Sequence, residues 1–87
     1  MKHAGPETFS KIDSLLKDLR QRNVLNEKGT GVFYWKSGAF LHFHDDPSGI
    51  FADVKFDGSD YSRFRVNTRL AQRSLLKKID RCLAIDE

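Results

Sequence analysis

One cysteine, one tryptophan, one methionine and two prolines are spread over 87 residues. With Cys82 alone, the chain can form neither an internal disulfide nor a cysteine-built metal site, which suits a reducing, cytoplasmic setting. Cys82 falls among Leu and Ile in a helical pattern and reads as a small buried hydrophobe. No apolar run approaches the roughly 18 residues that cross a bilayer, so no membrane partner is expected. The opening Met-Lys-His-Ala-Gly-Pro-Glu has no apolar stretch, so no secretory signal is expected. Repeats, linkers and low-complexity segments are also missing, so residues 1–87 are expected to form one compact domain with frayed ends at 1–5 and 85–87. There is no Gly-x-Gly-x-x-Gly run and no P-loop. Ser37, Ser48, Ser59 and Ser62 lie in or near turns without a nucleophile elbow around them. No catalytic set and no cofactor are expected on these grounds.

What is present is a core's worth of aromatics and an uneven charge. Seven Phe, two Tyr and the Trp can fill one small core. The net charge of +3 conceals a split. Residues 1–60 carry eight Lys/Arg against nine Asp/Glu, whereas residues 61–85 carry seven basic residues against Asp80 alone. A basic C-terminal third fits an anionic partner or a solvated helix face.

Hydrophobic spacing gives the elements. Phe9, Ile12, Leu16 and Leu19 recur every three or four residues, with Leu15 alongside, which predicts an amphipathic helix over about 6–22. Pro6 suits its first turn. On its outward face Glu7/Lys11, Asp13/Lys17 and Asp18/Arg22 are spaced to compensate one another. Asn26 to Gly29 reads as a turn. Strands are expected at Val32–Lys36, Ala39–Asp45, Ile50–Phe56 and Ser62–Val66. Asn67 or Thr68 then caps a second helix over about 68–84, with Leu75, Leu76, Ile79, Cys82 and Leu83 on its apolar side. The expected fold is α+β: helix, four-stranded antiparallel meander, helix, with both helices on one sheet face.

The hairpin from Gly38 to Phe56 is the most informative stretch. Asp46-Pro47-Ser48-Gly49 fits a type I turn. A four-residue loop there pairs Leu41 with Val54, Phe43 with Ala52, His42 with Asp53 and His44 with Phe51. One face is then apolar: Ala39, Leu41, Phe43, Ala52, Val54 and Phe56. The other carries Phe40, His42, His44, Phe51, Asp53 and Lys55. A loop one residue shorter would mix the two sets, so the clean separation favours the first register. The same parity puts Phe64 and Val66 inside and Arg63 and Arg65 on the open face. Depending on loop length, Arg63 or Arg65 completes a row with His42 and Asp53. The first strand exposes either Phe33 and Trp35 or Val32 and Tyr34, according to whether its turn has two or three residues.

Phe40 to Val54, followed by Arg-Phe-Arg-Val at 63–66, resembles a hairpin signature of small uncharacterised bacterial proteins. That resemblance covers about Gly31 to Val66 and implies a bacterial α+β domain without implying a mechanism. The helix–sheet–helix order is also loosely similar to double-stranded-RNA-binding domains. The chain departs from those in having a fourth strand and in opening its second helix with Asn-Thr-Arg-Leu.

Three functional readings follow. The first is a non-enzymatic interaction module that pairs with itself, or with another protein, through the open face of Phe40, His42, His44, Phe51, Asp53, Lys55, Arg63 and Arg65. The second is a nucleic-acid-binding module using Arg69, Arg73, Lys77, Lys78 and Arg81, spaced along one helix, together with Arg63 and Arg65. The third, ranked last, is a small enzyme or metal site. His42 and His44 share a face two residues apart, Asp53 could join them as a ligand, and His3 could approach from the N-terminus.

Overall fold

The computed structural model describes residues 2–84. Its elements are β1 (Lys2–His3), α1 (Pro6–Lys11), α2 (Asp13–Arg20), β2 (Asn26–Gly29), β3 (Val32–Trp35), β4 (Gly38–Asp46), β5 (Gly49–Val54), β6 (Ser62–Arg65) and α3 (Arg69–Ala84). Five antiparallel strands run in the order β2-β3-β4-β5-β6. The short β1 lies against the far half of β4, pairing Lys2 with Asp45 and His3 with His44. The fold is α+β, as its hydrophobic spacing predicts, with helices at both ends of the chain.

Three expectations need correction. Asn26–Gly29 is a strand, not a turn, so the sheet has one more strand than the meander expected from the sequence. Glu27 holds it by accepting bonds from Arg20 Nε at 2.7 Å and from the Gly31 amide at 2.9 Å. Gly31 itself turns with φ 76° under the Phe9 ring, and a Cβ there would lie 2.4 Å from that ring. The first helix is broken at the buried Ile12, whose φ of −115° and ψ of 26° leave the helical range. Within 1–5, Lys2 and His3 pair with β4 and the Ala4 amide donates to the Phe43 carbonyl, and Met1 lies outside the described residues. Residues 85–87, expected to fray, lie outside the described residues. Finally, Asp18 does not compensate Arg22 within the helix. Its carboxylate bonds Arg69 of α3, while Arg22 donates to both oxygens of Asp80, each at 2.8 Å. Asp13 and Lys17 do pair, at 3.0 Å.

Both longer helices cover one sheet face. Leu15, Leu16 and Leu19 of α2 and Leu75, Leu76, Ile79 and Leu83 of α3 share one core with Phe33, Leu41, Phe43, Ala52 and Val54. Each large side chain so buried stabilises the fold by about 1.5–3 kcal/mol relative to exposure. Thr68 caps α3 by accepting a bond from the Ala71 amide. Asn67 instead accepts from the Ile50 amide at 2.8 Å and so ties the start of β5 to the foot of the helix.

Candidate functional site

The β4–β5 hairpin has the register that face separation favours. Leu41 is opposite Val54, His42 opposite Asp53, Phe43 opposite Ala52 and His44 opposite Phe51. The ladder extends to Asp46 and Gly49, so Pro47 and Ser48 alone close it. The Asp46 carboxylate fixes the turn by accepting from the Ser48 amide and hydroxyl. On the other side of β5, Arg63 of β6 is opposite Asp53 and Arg65 is opposite Phe51. Of the two arginines considered for the row, Arg63 is therefore the one that completes it.

The row is built around one carboxylate. Asp53 is only 4% exposed although no helix among the described residues shares its core with this face. Arg63 Nε and Nη2 bond its two oxygens at 2.8 and 2.9 Å. His44 Nε2 lies 3.0 Å and His42 Nε2 3.5 Å from the same oxygen, Oδ2. The Arg63 guanidinium holds the Asp53 carboxyl below the usual carboxylate range. Burial opposes this, and the charge of Arg63 and the two imidazoles reinforce it. The imidazoles pack edge to face at 4.7 Å, and Tyr61 packs on His42 at 4.8 Å. Lys55 lies over the Tyr61 ring.

Other residues assigned to this face are divided by the structure. Phe40 is not on it: it is 2% exposed within the core. A β-bulge is the cause. Phe33 is opposite Leu41 while Tyr34 is opposite Ala39, which leaves Phe40 as an extra residue without a partner on β3. The bulge also decides the first strand. Its turn has two residues, Lys36 and Ser37, yet Phe33 still faces the core, leaving Val32 and Tyr34 on the open side. Ala39, expected in the core, shares Tyr34's ladder position and is half-exposed. Phe51 is half-buried on the open face. Arg65 is exposed and reaches over Gly49, where a Cβ would lie 2.5 Å from Arg65 Nε and from Asn67 Oδ1.

The basic helix is divided too. Arg69 does not form part of an available cationic stripe, because it bonds Asp18 and Gln72. Arg73, Lys77, Lys78 and Arg81 are exposed, and none of them has an ion pair among the described residues.

Two clefts went unseen in the sequence. One, of about 440 Å³, is lined by Trp35, Lys36, Phe40, Lys55 and Phe56 together with backbone of the adjoining turns. The other, of about 370 Å³, is lined by Phe56, Lys78, Arg81 and Cys82. Phe56 is common to both, and Trp35, Phe40 and Phe56 meet edge to face. Cys82 is half-buried here, not fully buried as its helical pattern suggests, with its thiol 3.7 Å from the Phe56 carbonyl. The only advance signal was a cation beside each aromatic, in Trp35-Lys36 and Lys55-Phe56. Neither cleft includes His42, His44 or Asp53. No helix among the described residues is long and apolar enough to cross a membrane.

No protein-family model, no curated protein and no solved structure matches this chain.

Proposed function

We propose that the chain is a non-enzymatic binding module for single-stranded nucleic acid, using the outward face of α3 and the two clefts that meet at Phe56. The observation that carries this reading is the row of exposed cations, Arg73, Lys77, Lys78 and Arg81, running into an aromatic floor. Lys36, set over Trp35, and Lys55 flank the far cleft. Cations along a groove neutralise phosphates, and aromatic faces stack bases in any sequence. Trp35, the chain's one tryptophan, lines that groove and supplies the readout.

A mixed-sequence single-stranded oligonucleotide should quench Trp35 fluorescence at low salt. Three or four phosphate contacts give a slope of log affinity on log salt of about −2 to −3. The variant Arg73→Glu/Lys77→Glu/Arg81→Glu should keep its circular dichroism and lose the quenching. An oligonucleotide that leaves Trp35 fluorescence unchanged at low salt, with no binding by anisotropy, ends this reading.

Self-association through the open face is the second reading. It rests on Tyr61, 41% exposed, and Val32, 37% exposed, beside the half-buried Phe51. It ranks lower because Phe40 belongs to the core and an ion cluster occupies the middle of the face. A single monomer mass by light scattering at high concentration removes it.

A further inference from the structure

We propose that His42, His44 and Asp53 form a binding site for a divalent transition metal of the zinc class. The site would lie on the open sheet face, away from the groove assigned to nucleic acid, and it stands or falls independently of that assignment.

The argument begins with spacing. Residues i and i+2 of a strand project from the same face, so β4 presents both imidazoles side by side. The register of β5 then sets Asp53 directly opposite His42. The three candidate donor atoms lie within 4.8 Å of one another. A tetrahedral ion with bonds of about 2.0–2.1 Å requires donor atoms about 3.3 Å apart. The two imidazole Nε2 atoms are 3.0 and 3.5 Å from Asp53 Oδ2. These two edges bracket the required length, and the imidazole nitrogens, which with the carboxylate lie within 4.8 Å of one another, must close together by up to about 1.5 Å through rotation of the histidine side chains.

The surroundings favour a built site over a chance meeting of polar groups. All three donor residues are on β4 and β5, two paired strands in the interior of the sheet. The side chains of His42 and His44 are 25% and 15% exposed, and that of Asp53 is 6% exposed, which leaves an opening without full solvation. The chain has three histidines, and the ladder gathers their backbone positions: His3 of β1 is opposite His44. Two imidazoles and one carboxylate are a donor set that suits zinc, cobalt, nickel or ferrous iron, with at least one position left for water or a ligand.

Arg63 supplies the positive charge beside Asp53 in this structure. It does not preclude ligation. Its Nε bonds Oδ1, whereas both imidazoles approach Oδ2. With Nε kept on Oδ1, the Nη2 of this half-exposed side chain can leave Oδ2 to an ion. Arg63 then becomes a positioning residue that orients the ligating carboxylate.

The test uses the full chain without an affinity tag and Co²⁺ as the probe. Tetrahedral cobalt bound by imidazole should give a visible absorption band, and equimolar Zn²⁺ should bleach it. Zn²⁺ should also raise the melting temperature. His42→Gln and His44→Gln should each weaken cobalt binding at least tenfold while keeping the far-ultraviolet circular dichroism. If either variant unfolds, ¹⁵N spectra of the wild-type histidines decide, and zinc should move the His42 and His44 ring resonances. No band and no ring shift at millimolar metal overturns the proposal, as does a band of undiminished affinity in both folded variants.

Discussion

Arg63 and Asp53 meet as a two-pronged pair across adjacent strands, with bonds of 2.8 and 2.9 Å to the two carboxylate oxygens. The partners are unequal. The Asp53 side chain is almost wholly buried and the Arg63 side chain is half-exposed. Loss of the carboxylate therefore removes one partner from three groups at once: Arg63, His42 and His44. Loss of the arginine exposes a carboxylate that two imidazoles still face. Asp53→Ala should cost about 1–3 kcal/mol in urea unfolding. Arg63→Ala should cost distinctly less. Equal costs would mean that the pair, not the buried carboxylate, organises the face.

Phe40 and Phe51 test the bulge. Period-two alternation and the hairpin register set both on the face of the histidines, but only Phe40 is in the core. Phe40→Ala should destabilise by about 3–5 kcal/mol, as expected of a buried aromatic. Phe51→Ala, at a half-buried position, should cost about 1–2 kcal/mol. Comparable small losses would put Phe40 back on the open face.

This contrast also marks how far the sequence could be read. The β4–β5 register followed from period-two alternation and the Asp46–Gly49 turn, and with it came His42 beside Asp53. Alternation has no term for an inserted residue, so the bulge at Phe40 was invisible and Phe33 and Trp35 were left undecided. Asn26–Gly29 has the composition of a turn. It is a strand paired with β3, and Arg20 at the end of α2 anchors its Glu27. The fate of Arg69 was hidden because its partner, Asp18, is on another helix and 51 residues earlier.

Lys36 and Ser37 close the β3–β4 hairpin with φ of 53° and 68°. Two successive positive values define the turn type that best matches strand twist, normally served by Asn-Gly. Non-glycine residues in this conformation cost about 1–2 kcal/mol each. Ser37→Gly should therefore stabilise the fold by about 1 kcal/mol, read as a raised urea midpoint at unchanged slope. A lower midpoint would show that the strain is relieved by contacts of Ser37.

Glu27 gives the fold a defined acid response. The Arg20 guanidinium holds its carboxyl below the ordinary range, with the Gly31 amide adding to the effect against desolvation. A carboxyl depressed in the folded state stabilises at pH values above its unfolded pKa, about 4.3. That contribution fades as pH falls through the lower folded pKa. Glu27→Gln should thus cost up to about 1 kcal/mol at pH 7. The gap between wild type and variant should shrink steadily below pH 4. A gap independent of pH would assign the effect of Glu27 to packing.

Asp18 and Asp80 tie up two arginines that border the basic face of α3. Asp80 takes both ends of the Arg22 guanidinium, and Asp18 takes Arg69. Both pairs are partly solvated, so each should contribute about 0.5–1 kcal/mol. The double variant Asp18→Ala/Asp80→Ala should lose about 1–2 kcal/mol of stability. It also removes two negative charges and leaves Arg22 and Arg69 unpaired beside Arg73 and Lys77. If this face contacts phosphates, oligonucleotide affinity at low salt should rise several-fold while the melting temperature falls. These opposite signs separate binding from stability in one protein, by anisotropy and thermal melting on the same preparation. An affinity that falls along with stability would place the contact elsewhere on the molecule.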